Sequence, residues 1–435
     1  MSGTSLGGVL GVIALIVVLA AGVPIGVALG LVGLLGMCAL LGTEPALIKA
    51  GVIAFDTMSR YELGVLPLFL LMAHLCFAAN ASRDFFNAAA CLFGHRRGGL
   101  ALASVGACAG FGAISGSSLA TAATIGLVAL PEMRQRGYSD ALATGSVAAG
   151  GTLGQAVPPS GALIVFGIIS EQSIGKLFTA AIVPAIAQML LYFLAIILLC
   201  HFRPKIAPPT ERVGWTERGR AMLRIADIVL LIVLVIGGIA IGWFTPSEAA
   251  SVGALGALLL CARRRRLTWS TLGTALSETL KTSGMIYVVL IGALIFSAFV
   301  SCTGLTDEVT GLLASVSGNR ILTLFVITAV LLLLGSLLDG LALMLLMTPI
   351  LMPAVVNLGL SPIWFGIFLV RAMEIGFVHP PIGMNLYVIQ NIVPDVPLGR
   401  IFKGVLPFLA ADFVHLLLLI FLPALVLALP RMLGQ

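Results

Sequence analysis

The sequence predicts an all-α integral membrane protein with an inverted-topology repeat, about ten transmembrane crossings and two re-entrant helical hairpins, and three observations predict it. First, 60% of its 435 residues are hydrophobic and only 10% are charged, with a mean hydropathy of +1.14. A soluble chain of this length needs a charged shell that these residues cannot build. Second, the runs 2–43, 99–131, 141–170, 177–200, 228–247 and 282–300 contain no Asp, Glu, Lys or Arg. About 20 apolar residues cross a bilayer as a helix, so several of these runs suffice for one pass or two. Third, Gly and Pro positions recur at a fixed spacing.

The recurrence defines the domain plan. Pro24, Pro131 and Gly137 each have a like residue 222 positions later, at Pro246, Pro353 and Gly359. The segments Gly154–Gly161 and Gly376–Gly383 both read G-x-x-x-P-P-x-G at the same offset of 222. Gly175-Lys-Leu-Phe178 answers Gly399-Arg-Ile-Phe402 at an offset of 224. Seven Gly or Pro matches at one offset are hard to reach by chance in a single chain. The first repeat is therefore 1–200, the hydrophilic stretch 201–224 is a cytoplasmic linker, and the second repeat is 225–435.

Each repeat draws as five crossings and one hairpin. In the first, crossings fall at about 8–20, 23–42, 63–80, 139–170 and 178–200; in the second, at about 225–244, 247–261, 282–300, 361–392 and 404–430. Arg96 and Arg97 precede the segment 98–133, and Arg134 and Arg136 follow it, so both its ends belong on the basic, cytoplasmic side. Its centre, Gly110-Phe-Gly-Ala-Ile-Ser-Gly-Ser-Ser118, is too rich in Gly and Ser for an ordinary helix and reads as a re-entrant hairpin. The matching segment 320–356 has little flanking charge, which suits the outer face. Five crossings are odd, so the second repeat enters the membrane inverted relative to the first. This scheme puts the basic loops 203–224, 263–266 and 400–403 inside and both termini outside.

Charge and cysteine usage exclude other classes. The net charge of +6 comes from short loops, densest at Arg263–Arg266, which is an orientation signal and not a nucleic-acid patch. The seven cysteines form no CxxC pair and read as small apolar fillers. Gly175-Lys176 has no glycine five residues before it, so there is no P-loop and no ATP-driven pump. The five histidines are dispersed, against a membrane enzyme with a clustered active site. No cofactor is expected.

Chemistry concentrates where helices must break. Pro158-Pro159 and Pro380-Pro381 remove backbone donors in mid-membrane. The freed carbonyls need a partner there, and a cation is a suitable one. Half-helix N-termini beside them suit an anionic group. Ionisable residues at membrane depth are candidates by default. Asp339 sits in an otherwise charge-free hairpin. Arg371 and Glu374 stand three apart and can pair on one helix face, or Arg371 can meet a substrate carboxylate. Asp412 and His415, equally spaced, read as a structural pair facing the interior.

Four motifs in order carry a family resemblance: Gly112-Ala-Ile-Ser-Gly-Ser-Ser-Leu-Ala-Thr-Ala-Ala-Thr-Ile-Gly126, Gly154-Gln-Ala-Val-Pro-Pro-Ser160, Thr245-Pro-Ser-Glu-Ala-Ala-Ser-Val-Gly-Ala254 and Glu374-Ile-Gly-Phe-Val-His-Pro-Pro-Ile-Gly383. The chain resembles the large membrane subunit of tripartite ATP-independent periplasmic (TRAP) transporters from about residue 20 to 430. The resemblance implies an elevator-type, sodium-coupled importer of an organic acid in the bacterial inner membrane. It also implies two partners, a small four-helix membrane subunit and a periplasmic solute-binding protein. It places one sodium ion on Ser115, Ser118, Gly154, Val157 and Pro159, and a second on Gly335, Gly376, His379 and Ile382, many through backbone carbonyls. Ser117, Asp339, Arg371 and Glu374 are the substrate or cavity candidates. His379 departs from the family, which most often has Thr there, so the second site can survive on carbonyls, weaken or respond to pH. A stand-alone carrier of the divalent-anion type shares the hairpin plan but centres on Ser-Asn-Thr, a triplet this chain lacks.

Overall fold

A computed structural model describes residues 3–317, 319–336 and 338–434. Among the described residues the chain is helical throughout, without strands. The first repeat contains α1 (Gly3–Ala20), α2 (Ile25–Leu41), α3 (Thr43–Ser59), α4 (Val65–Ala78) and α5 (Ala81–Phe93). The first hairpin follows as α6 (Gly99–Ser115) and α7 (Ser118–Gln135), then the broken helix α8 (Asp140–Ala156) and α9 (Gly161–Ser170), then α10 (Ile174–Phe202). Beyond the linker, α11 (Trp215–Ile232) runs through a π-helical turn into α12 (Gly238–Ala240), followed by α13 (Pro246–Arg263), α14 (Trp269–Thr303) and α15 (Leu305–Ser317). The second hairpin is α16 (Arg320–Gly335) and α17 (Gly340–Asn357), the second broken helix α18 (Pro362–Gly376) and α19 (Met384–Ile392), and the chain ends in α20 (Leu398–Phe421) and α21 (Ala424–Met432).

Helix starts are written locally. Ser117, Ser139, Ser160 and Ser173 each cap the next helix by accepting from a backbone N–H. Thr245-Pro246-Ser-Glu248 forms a full capping box with Pro at the first helical position. The 222-residue offset survives as geometry: α7 starts at Ser118 and α17 at Gly340, α8 at Asp140 and α18 at Pro362.

Three expectations need correction. The second repeat has one 35-residue helix, α14, where only 282–300 was expected. In the first repeat the equivalent stretch is two helices, α3 and α4, parted at Arg60, whose backbone is extended (φ −70°, ψ 120°). The helices α3, α5 and α15 were not anticipated, because each carries Asp or Glu and lies outside the charge-free runs. The crossing expected at 404–430 starts earlier, at Leu398, and stops at Phe421, since Pro423 offers no donor to continue it.

The helices sort by what they face. From Ile363 to Gly376 every residue of α18 is buried, and from Leu142 to Gln155 every residue of α8 is buried. Helices buried all round in this way form the middle of the molecule. By contrast α1, α3, α10, α11 and α14 turn Leu, Ile, Val and Phe side chains outward, which only lipid can solvate. Among the described residues seven helical stretches are long and apolar enough to cross a membrane. Exposed Trp215, Trp243 and Trp269 stand at helix ends, where an amphipathic ring suits the membrane boundary.

The two halves interlock. On α2, Gly26, Gly30 and Gly33 let α14 approach at Val289, Gly292 and Phe296, a small-residue seam of the kind that replaces hydrophobic driving force in lipid. The equivalent pair is α13 on α4, where Gly253 meets Met72. Arg264, from the basic run, turns inward: it donates to Asp84 (2.6 Å), Asp227 (2.9 Å) and the carbonyls of Ala79 (2.9 Å) and Arg224 (2.6 Å). It thereby ties α5 to α11.

Candidate functional site

The tip of the first hairpin is folded onto the break in α8–α9. Gly116, in the left-handed region (φ +58°), turns the chain between α6 and α7. Its carbonyl accepts from Gly161 N–H at 3.3 Å. A Cβ on Gly116 would lie 2.8 Å from Pro159 O, and one on Gly112 would lie 2.6 Å from Gly154 Cα. Only glycine allows both approaches. Ser115 Oγ shares a hydrogen bond of 2.6 Å with Thr121 Oγ1, and a Cβ on Gly154 would lie 2.6 Å from Ser117 O. Ser115, Ser117, Gly154 and Pro159 are therefore brought together. Ser118 is buried beside them and its Oγ accepts from Asn385 Nδ2 at 3.0 Å. Val157 closes α8 in an extended conformation (φ −83°, ψ 126°). Val157 also lines a separate apolar cavity with Ala109 of the hairpin helix α6 and Ile186 of α10.

The second hairpin repeats the backbone contact. Gly335 ends α16, Gly376 ends α18, and a Cβ on Gly376 would lie 3.2 Å from Gly335 Cα. This is the counterpart of Gly112 on Gly154. The loop that follows differs. Pro158, Pro159 and Ser160 are buried, whereas Pro380, Pro381 and Ile382 are exposed. His379 is half-buried, its ring edge-on to Phe413 (6.5 Å, 86°), and its Nδ1 has no hydrogen-bond partner. Both proline pairs contain a cis bond.

Asp339 joins the first hairpin, not only the second. It caps α17, accepting from Leu341 N–H at 3.1 Å. It also lines a cavity of about 230 Å³ with Ser115, Ser117, Ser118, Gln155 and Pro159. Phe69 and Met285, from α4 and α14, form the opposite wall. Among the residues around this cavity Asp339 is the only ionisable one.

The expected pairings on α18 and α20 are exchanged. Arg371 forms its ion pair with Asp412, across the α18–α20 interface, and both are buried. It pairs neither with Glu374 nor into the cavity. A guanidinium fork reaches a carboxylate on a facing helix more squarely than one three residues along its own. His415 is buried nearby without a hydrogen bond to Asp412. The interior position expected of Asp412 and His415 holds; their mutual pairing does not. Glu374 is left facing Ser118. At the mouth of the first hairpin, Arg134 bridges Asp140 (3.1 Å) and Asp395. The guanidinium beside Asp395 holds its carboxyl below the usual carboxylate range.

Sequence reasoning missed Asn385, Thr121 and the buried group of Thr152, Gln188 and Tyr192, in which Gln188 donates to Tyr192 at 2.9 Å and to Thr152 at 3.3 Å. The available signal was an amide in an otherwise apolar helix, as at Asn385 and Gln188.

Residues 12–425 match the family described as tripartite ATP-independent periplasmic transporter, DctM component. Over 405 residues the chain is 34% identical to the C4-dicarboxylate TRAP transporter large permease protein DctM of Pseudomonas aeruginosa, covering 93% of this chain and 94% of that one. It is 32% identical to the sialic acid TRAP transporter large permease protein SiaM of Vibrio cholerae, covering 95% and 96%. The fold is similar to that of the Alcanivorax borkumensis YdaH transporter, with a TM-score of 0.62 at 13% identity, over 87% of this chain and 88% of that one. This chain accordingly belongs to the DctM component family of tripartite ATP-independent periplasmic transporters, as a multi-pass inner-membrane large permease and not an enzyme.

Proposed function

We propose that this permease imports a small organic acid together with sodium, receiving the acid from a periplasmic solute-binding protein and working beside a small four-helix membrane subunit. One sodium ion is held by Ser115 and Ser118 with carbonyls of Gly154, Val157 and Pro159. The second is held by Gly335, Gly376, His379 and Ile382. Hard cations prefer such oxygen sets, and the matched backbone contacts at Gly112–Gly154 and Gly335–Gly376 support a pair of related sites. The hairpins and broken helices move as one unit against the frame of α2, α4, α13 and α14, which is the elevator reading.

One observation carries the coupling. The cavity between hairpin and frame has no Lys, Arg or His among its lining residues, and it holds Asp339. An organic anion there meets an acidic side chain and no side-chain cation. Two helix N-termini, at Ser117 and Ser160, offer only partial charge. Bound sodium ions supply what is missing, so anion and cations enter together. The relatives named for C4-dicarboxylate and sialic acid support an organic acid as the substrate class.

The test is uptake into proteoliposomes containing both membrane subunits and the binding protein, across a panel of organic acids. Uptake of one carboxylate should scale with an inward sodium gradient and stop when choline replaces sodium. Uptake that ignores sodium and follows a proton gradient would overturn the coupling.

A further inference from the structure

The geometry points to Glu374 and Asn385 as oxygen ligands of the cation at Ser118, so that the ion is gripped by both repeats and neutralised by a carboxylate of the second. The inference rests on the sodium reading above, in which the first site has only neutral ligands.

The observations are these. Glu374 is wholly buried on α18, and neither carboxylate oxygen has a hydrogen-bond partner. It faces the Ser118 hydroxyl. Asn385 is equally buried on α19. Its Nδ2 donates to Ser118 Oγ (3.0 Å) and to the Ala148 carbonyl (3.1 Å). A carbonyl can only accept, so the amide orientation is fixed, and Asn385 Oδ1 is left buried without a partner. The one Ser118 O–H can satisfy at most one of the three buried acceptors Glu374 Oε1, Glu374 Oε2 and Asn385 Oδ1, and the others cost free energy unless a cation lies among them. Gly151 lets α8 pack closely here, since a Cβ there would lie 2.6 Å from Ala122 Cβ and 3.2 Å from Asn385 Nδ2.

The charge count agrees. Arg371, the cation on the same helix, is taken by Asp412. Glu374 is therefore left without a cationic side chain of its own, and the lining of the adjoining cavity, with Asp339, supplies none. A single carboxylate with amide and hydroxyl oxygens suits a hard monovalent ion; soft metals prefer the nitrogen and sulfur ligands absent from this set. Ser118 belongs to the first hairpin, whereas Glu374 and Asn385 belong to the second broken helix. Ion binding therefore locks the hairpin tip to the opposite repeat.

The test reads thermal unfolding of the full chain, purified with its small membrane partner, against sodium chloride at constant ionic strength held by choline chloride. A ligand that binds only the folded state stabilises it in proportion to ln(1 + [Na⁺]/Kd). Glu374→Gln, which keeps the shape and removes the charge, should raise half-saturating sodium by about tenfold or more. Without sodium the same variant should melt at or above the parent, because Gln fills the same space and its amide can donate to the unsatisfied buried acceptors. A merely structural hydrogen-bonding role would lower it instead. Glu374→Asp, which keeps the charge but retracts it by one methylene, should shift half-saturation less than Gln does. If Glu374→Gln does not fold, an unchanged half-saturation in Glu374→Asp overturns the assignment. Equal half-saturation in the parent and Glu374→Gln also overturns it and leaves the sodium reading standing. Absence of any sodium effect in the parent overturns both.

Discussion

Ser115 and His379 belong to the two different proposed sites and have different surroundings. Ser115 Oγ is already held against Thr121 at 2.6 Å, so its oxygen is oriented before any ion arrives. Ser115→Ala should raise the sodium needed for half-maximal uptake by roughly tenfold, the scale of about 1.4 kcal/mol of lost ligand contact. An unchanged sodium curve would remove Ser115 from the site. His379 has an unpartnered Nδ1 and a ring packed edge-on to Phe413. Nitrogen is a poorer ligand than oxygen for a hard cation. His379→Thr should therefore lower half-saturating sodium several-fold. If uptake against sodium stays the same, position 379 contributes only its carbonyl.

At the scale of helices, the seam between α2 and α14 holds the frame against which the hairpins work. A Cβ on Gly33 would lie 2.7 Å from the Phe296 backbone, which cannot yield as a flexible side chain can. Gly33→Ala should cost about 1–3 kcal/mol, the range of overpacking a filled interface. Gly51, on α3, has nothing within 4 Å of its Cβ position. Gly51→Ala should be neutral or slightly stabilising, since Ala is the better helix former. Melting temperatures of the two variants in one detergent make the comparison, and equal losses would show that the seam is not tightly packed. These glycines stand in the sequence at helical spacing, so their presence was legible. Which helix they receive was not, because nothing local links position 33 to position 296.

For the whole molecule, the inverted arrangement makes a prediction about sides. With 203–224 and 263–266 inside and both termini outside, a cysteine placed near residue 265 should react only with reagents that enter the cell. One placed near residue 432 should react from outside. Labelling near 265 by an impermeant reagent in intact cells would sink the inverted scheme. The same scheme explains why the hairpin mouths differ. The first is ringed by Arg134, Asp140, Asp395 and Arg400, as a cytoplasmic mouth should be, while the second has Arg320 before it and no charge from 357 to 370. Asp395, held ionised by Arg134, contributes stability above its unfolded range and loses it as pH falls through its depressed value; molar salt should erase the contribution.

The class and the order of hairpins and breaks were readable from local chemistry in the sequence: apolar length, missing proline donors, charge at loop ends. The family, and with it the proposed ligands Ser115, Ser118, Gly154 and Gly376, came from the resemblance of whole motifs. Amphipathic helices such as α5, with Phe85 and Phe86 buried and Arg83 and Asp84 on the same turns, were lost because the reading followed charge-free runs. The pairing of Arg371 with Asp412 and the meeting of Ser118 with Glu374 and Asn385 were decided only by tertiary structure. So was the approach of Asp339 to the first hairpin's cavity. Residues on helices far apart in sequence become neighbours through the packing of whole helix faces. That packing follows from the summed shape of many side chains, and no spacing along one chain segment records it.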